Sequence, residues 1–298
     1  INPIQVTAVT VIVQRMASMA GMFFIMAMFF YLMGRITPVL RKKIAWFFLC
    51  GLAGLLSLAS KENAVMLPII LYLFDLLLIQ GVSRANLRRH LLMAGIPVLI
   101  ILALAMILSN PLTYLSGSAY DYREFTLLER LFTQPRVLLF YLSLMIYPLA
   151  DRFTLIYELP ISTALFSPWT TLPAILFWMA WTGLSVYLAR QRPLVSFCLL
   201  FFVVNHLVES SFIPLELVYE HRNYLPSMML FLLAGVGIIA FLRDFSKKRL
   251  LTVLSFLALT MIVAAQGHTV FERNALFEHP LYLWSDNADK SPGLSRVH

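Results

Sequence analysis

Eight apolar stretches, separated by short polar segments, set the pattern of the chain. Their centres run from Ala17 to Met33, Ile44 to Ala59, Ala64 to Ile79, Leu91 to Leu108, Leu172 to Ala189, Leu194 to Val208, Pro226 to Leu242 and Leu250 to Gln266. A helix crossing the roughly 30 Å of hydrocarbon needs about 20 mostly apolar residues, and flanking Ser, Thr, Asn, Trp and Tyr extend the shorter stretches through the interface. A further apolar stretch, Val137 to Leu149, lies between Arg136 and Asp151-Arg152. At about 1.5 Å per residue it reaches only about 20 Å, so it reads as a re-entrant or interfacial helix on the outer side, followed by Pro148 and an aromatic-rich segment. The pattern predicts an all-α polytopic membrane helix bundle of about eight spans plus this one short helix.

The basic residues orient the bundle. Arg35, Arg41, Lys42 and Lys43 follow the first span; Arg84, Arg88 and Arg89 the third; Arg190 and Arg192 the fifth; Arg243, Lys247, Lys248 and Arg249 the seventh. All four loops fall on one side if the first span runs inward, and Asp244 is their only acid. By the positive-inside rule that side is cytoplasmic. Except for Asp75, near the inner end of the third span, the remaining acids then gather outside.

Composition agrees with this picture. Hydrophobic residues make up 60% of the chain, charged ones only 13%, and mean hydropathy is +0.81, where a soluble domain is about a quarter charged. The net charge of +8 does not imply nucleic acid, because the cations sit in short clusters between apolar runs. Cys50 and Cys198 lie within apolar runs and read as core residues. No zinc-ligand spacing, phosphate loop, dinucleotide fingerprint or nucleophile elbow is present. The chain opens at Ile1 without methionine and closes at Arg296-Val297-His298 without a stop signal, which leads us to expect a segment of a longer protein.

Charged residues at the mouths of spans nominate a site, since charge near membrane depth is costly. Arg15 stands at the outer mouth of the first span. Ser60-Lys61-Glu62-Asn63 fills the tight outer turn before the third, with Pro68 one turn further on. Glu216 to Pro226, which includes Tyr219, Glu220, His221, Arg222, Asn223 and Tyr224, precedes the seventh; His206 and Glu209 end the sixth and extend this cluster. In this reading Lys61 pairs with Glu62, and Arg222 with Glu220. Such cations suit an anionic lipid headgroup, a phosphate or pyrophosphate.

These same stretches resemble a known family. Asn2-Pro3-Ile4-Gln5 through Gln14-Arg15, Ser60-Lys61-Glu62-Asn63-Ala64 through Leu67-Pro68 and Asp75, Leu131-Phe132-Thr133-Gln134-Pro135-Arg136-Val137, and Glu220 through Ser227 together resemble the multispanning, TPR-bearing protein O-mannosyltransferase-like family and its bacterial relatives. The resemblance implies a GT-C glycosyltransferase fold, a polyprenyl-phosphate-linked sugar donor and an active site on the extracytoplasmic face of a bacterial inner membrane. It implies Arg15, Lys61 and Arg222 as lipid-phosphate ligands, with Glu62, Asn63, Glu220, His221, Asn223 and Tyr224 supporting them or touching sugar. The sequence departs from the family pattern at Asn2, where a histidine is usual, and the acidic pair of the first outer loop would precede Ile1. The segment Leu283 to Pro292 resembles the lead-in to a TPR array able to recruit a protein acceptor. Residues 1–266 then form the membrane core and 267–298 the extracytoplasmic lead-in. No cofactor is identified, and the expected partners are membrane lipid, the lipid-linked donor and a protein acceptor, with no nucleic acid. The alternatives are an O-antigen-ligase-like oligosaccharide transferase, a lipid-linked substrate transporter and a non-catalytic TPR scaffold.

Overall fold

The computed structural model describes residues 2–83, 95, 99–100, 118–244 and 249–293. These residues form an all-α polytopic bundle. A short helix α1 (Val6–Thr10) leads into α2 (Arg15–Ile36), which pairs with α3 (Leu40–Ser60). A 3-10 turn (Glu62–Met66), α4 (Leu67–Phe74) and a π-helical turn (Asp75–Gln80) make the third span. Then come α5 (Leu127–Ile146), α6 (Thr171–Leu188), α7 (Pro193–His206), α8 (Tyr224–Asp244), α9 (Arg249–Glu278) and α10 (Pro280–Lys290).

Six of these segments are long and apolar enough to cross a membrane: α2, α3, residues 62–80, α6, residues 220–244 and α9; α7 is apolar but shorter. The chain is an integral membrane protein. The expected span Leu91 to Leu108 falls almost wholly outside the described residues, as do Arg84, Arg88, Arg89, Lys247 and Lys248.

The expectation of a short helix at Val137–Leu149 needs correction. Helix α5 begins ten residues earlier, because Thr126 and Glu129 form a capping box that satisfies the first turn. Its first half carries Arg130, Gln134 and Arg136, whose polarity hid it from a search for apolar runs. Its end at Ile146 leaves Pro148 outside the helix. Pro68 lies one turn beyond the Lys61 turn. It stands in the first turn of α4, where a missing N–H costs nothing.

Helix α7 organises the packing. Phe197 and Phe201 face one core with Phe24 of α2, Ala53 of α3 and Ile70 of α4. Phe202 faces a second core, with Val137 and Tyr141 of α5 and Trp178 of α6. Edge-to-face packing of Phe24 on Phe201 (6.0 Å) and stacking of Trp178 on Phe202 (5.7 Å) lock these faces. A helix of 14 residues reaches only about 21 Å. Burial within protein rather than lipid lets α7 be this short. Lipid-facing positions are apolar and bare instead: Phe48 is 70% exposed, Leu250 71% and Met261 66%.

Two contacts place the ends of the helices. Ser57 Oγ donates to the Ala20 carbonyl (2.8 Å), so α2 and α3 run antiparallel with Arg15 and Lys61 at one end. At the other end Arg35 pairs with the buried Asp75 (2.5 Å), which also accepts from Gln80. Gly21 lies where a Cβ would come within 3.1 Å of the Tyr224 ring, so any larger residue there would have to push that ring aside.

Candidate functional site

At the Lys61 end of the bundle, charged groups are buried. The 3-10 turn after α3 carries Lys61 inward, 7% exposed, where its ammonium meets Glu209 at 2.6 Å. Glu209 follows the end of α7, so this ion pair joins the second and third spans to the sixth expected span. The pairing of Lys61 with Glu62 is overturned. Glu62 points outward and is exposed, because the turn that buries Lys61 puts its neighbour on the opposite side.

A second buried pair corrects the other expectation. Glu220 binds not Arg222 but Arg273 of α9, at 2.8 and 3.0 Å through two guanidinium nitrogens. Arg273 also donates to the Pro3 carbonyl (2.8 Å) and lies over the Phe153 ring (4.4 Å). Tyr157 donates its phenol to Glu220 at 2.5 Å. Burial, and next the Glu220 charge, raise the Tyr157 pKa well above the ordinary 10, so the phenol remains a donor at any physiological pH. With both oxygens engaged, Glu220 is a structural carboxylate. One 30-residue helix, α9, runs through position 266 and brings Arg273 back onto the core.

Arg222, 3% exposed, donates to the carbonyls of Glu216 (2.6 Å) and Leu217 (3.2 Å) and stacks over Tyr219 (5.1 Å). Arg130 of α5, fully buried, donates to the carbonyls of Glu209, Ser211 and Leu215. Burial first, then the Arg222 charge, lower its pKa to about 10, which leaves it charged at neutral pH. The imidazoles of His206 and His221 both feel the charges of Lys61 and Arg222. His206 is held between Tyr141 (5.8 Å) and Phe202 (4.6 Å), and His221 stacks on Tyr219 (5.1 Å). Three cations and one carboxylate thus share this region, leaving an excess of buried positive charge.

Several buried polar atoms here make no hydrogen bond: the side-chain oxygens of Asn63, Asn205 and Asn223. The His206 nitrogens make none of normal geometry, although Asn223 lies beside the ring. An unsatisfied buried polar atom costs about 1–3 kcal/mol, and native proteins carry few of them. Asn63 and His206 are the ones that adjoin Lys61, by sequence and by charge respectively. Among the described residues no group of three or more His, Cys, Asp or Glu could hold a metal.

Of the nine residues nominated by sequence, Lys61, Asn63, His221, Arg222 and Asn223 come together. Glu220 adjoins them but is spent on Arg273. Tyr224 packs on Gly21 of α2. Arg15 is exposed and donates to its own Val9 carbonyl (3.0 Å), and among the described residues no contact joins it to Lys61 or Arg222. Glu209 and His206, placed near this cluster by sequence, belong to it. Arg130, Tyr157 and Arg273 were missed. Their signal was weak: an arginine in a polar helical turn, a tyrosine in a loop and an arginine just past a span.

An apolar groove of about 910 Å³ opens nearby, lined by residues of α5, α6, α8 and α9 and rimmed by Asn2, Gln5, Thr10 and Asn274. Gln5 donates to Ser227 (2.7 Å), and Thr10 to Asn274 (2.7 Å). The rim therefore belongs to the same N-terminal segment whose Pro3 is tied through Arg273 to Glu220. Comparison with protein-family models, with curated proteins and with solved structures yields no match.

Proposed function

We propose that this chain is the lipid-phosphate-binding membrane core of a GT-C-type glycosyltransferase, which transfers sugar from a polyprenyl-phosphate donor to an acceptor on the extracytoplasmic face. The observation that carries this reading is the buried excess of positive charge around Lys61 and Arg222, in a region with unpartnered amide oxygens. Buried cations without matching anions are costly. An anionic ligand that enters with the charge missing from the protein offsets that cost.

The groove supports a lipid as the carrier of that anion. An apolar groove with a polar rim, tied to the charged cluster through the N-terminal segment and Arg273, suits the two halves of a polyprenyl phosphate. In transfer, negative charge grows on the departing phosphate as its bond to the anomeric carbon breaks. Lys61 and Arg222, held in a water-poor region by Glu209 and by main-chain carbonyls, would stabilise it. His221 and Asn223 stand on the same 3-10 turn as Arg222 and would orient the headgroup. Glu209 and Glu220 are each bound to a buried cation, so neither serves as the base in this mechanism.

The test is sugar transfer from a purified polyprenyl-phosphate-linked donor by the protein in membranes. Lys61→Ala and Arg222→Ala should each lower the rate at least about 100-fold, the order seen when one donor to a developing oxyanion is removed. Near-normal transfer by both variants would overturn the reading.

A further inference from the structure

We infer that a second pocket, formed by the segments 122–125, 156–161 and 216–219, binds a neutral polyhydroxylated ring, the glycosyl group of a substrate. This rests on the proposed glycosyltransferase reading and names a subsite of that same function. The pocket has a volume of about 230 Å³. Its walls combine the rings of Tyr122, Tyr157 and Tyr219 with Arg123, Glu124 and Glu158.

Two of these walls also belong to the charged cluster. Tyr219 lines the pocket while its ring stacks on His221 and carries Arg222 over its face. Tyr157 lines the pocket while its hydroxyl binds Glu220. A ligand in the pocket is therefore one side chain away from the cations that would hold the phosphate.

The lining chemistry selects among ligands. A lipid chain is disfavoured because three carboxylates and an arginine would lose water to it. A phosphate is disfavoured because Glu124, Glu158 and Glu216 outnumber Arg123, which is itself paired with Glu216 at 2.6 Å. Beyond the Arg123–Glu216 pair the lining keeps Glu124 and Glu158, so a tetramethylammonium control separates a cation from a neutral ring. A sugar ring fits both halves of the lining. Its C–H face packs on phenol rings, and its hydroxyls donate to carboxylates and accept from the guanidinium. Tyr122 stands at the site 91% exposed, a large aromatic side chain left in water until a ring covers it.

The test uses the whole chain purified in lipid nanodiscs, with methyl hexosides as neutral probes in saturation-transfer NMR and polyprenyl phosphate as the lipid probe. The expected result is saturation of the hexoside ring protons. Tyr122→Ala and Glu124→Gln, both at exposed positions, should weaken hexoside binding about fivefold or more while polyprenyl phosphate binds as before. If polyprenyl-phosphate-linked hexose displaces the hexoside and polyprenyl phosphate alone does not, the pocket receives the donor sugar. If both are held at once, it receives the sugar of a glycan acceptor. Absence of saturation with every hexoside, equal binding by the variants, or displacement by tetramethylammonium would overturn the inference. Loss of polyprenyl phosphate binding in the unaltered protein would instead overturn the underlying function.

Discussion

The two ends of the bundle treat the same residue types in opposite ways. At one end Arg41, Lys42, Arg190, Arg192, Arg243 and Arg249 are exposed, free to reach headgroups and water. At the other, Lys61, Arg130, Arg222 and Arg273 are all less than 9% exposed. The first arrangement costs almost nothing and requires no geometry, since long cationic side chains extend readily to the interface. The second requires a partner for every charge, and for Lys61, Arg130 and Arg273 each partner comes from a distant part of the chain. Lys61 takes Glu209; Arg273 takes Glu220 and the Pro3 carbonyl; Arg130 takes three carbonyls between residues 209 and 215. Clustered cations at one end stay in the open, whereas these four single cations are built into the packing at the other.

The largest expected effect comes from breaking the most connected of the buried cations. Arg273→Met leaves Glu220 with only the Tyr157 phenol, and removal of one partner from a buried pair costs about 3–5 kcal/mol. Thermal unfolding in detergent should show a large fall in midpoint, and Glu220→Gln on top of it should restore part of the loss by removing the stranded charge.

Lys61 sharpens the comparison by separating stability from function. Lys61→Met strands Glu209 and should destabilise by a similar about 3–5 kcal/mol, while Lys61→Met with Glu209→Leu replaces both charges by apolar groups of similar size and should recover most of it. The double variant should remain unable to transfer sugar. A double variant that is both stable and active would show that the pair is only structural.

A smaller effect is expected at Tyr157. Tyr157→Phe removes one hydrogen bond to a charged group, worth about 1.5–3 kcal/mol. Because the phenol pKa is raised on folding, its contribution is complete below the ordinary value of 10 and is lost as pH rises through the raised value. Stability measured from pH 8 to 11 should fall at the alkaline end in the parent and fall less in the variant. At the opposite end of the bundle, Lys42→Ala should change the unfolding free energy by less than about 0.5 kcal/mol, the ordinary range for an exposed surface position.

Much of the fold was legible because lipid imposes a simple rule. Apolar length alone located α2, α3, α6, α8 and α9. Helix α5 escaped in part because its register is fixed by the Thr126–Glu129 capping box and not by apolar residues, and α7 is held by aromatic packing in place of full length. Part of the buried charged cluster was legible residue by residue, but not pair by pair. Lys61 stands next to Glu62 in the chain, yet the extended backbone at Lys61 and the 3-10 turn after it direct the two side chains apart. Glu220 and Arg222, two apart on a 3-10 turn, also diverge. Their partners lie 53 positions or more away for Glu220 and on the local main chain for Arg222, and a single sequence carries no signal for contacts of the first kind. Position foretold the burial of Lys61, Glu220 and Arg222 but not of Arg130 or Arg273, and it wrongly grouped the exposed Arg15 and Glu62 with them; the pairings followed only from tertiary structure.

The central claim is that the buried charge around Lys61 and Arg222 exists to hold a lipid phosphate. Native mass spectrometry of the protein with polyprenyl phosphate, compared with the uncharged polyprenol, measures this directly. The account predicts that the phosphate binds at one equivalent and at least about tenfold more tightly than the alcohol, a difference of about 1.4 kcal/mol, and that the stable Lys61→Met, Glu209→Leu variant loses this preference. Equal binding of phosphate and alcohol, or a preference unchanged in that variant, would contradict it.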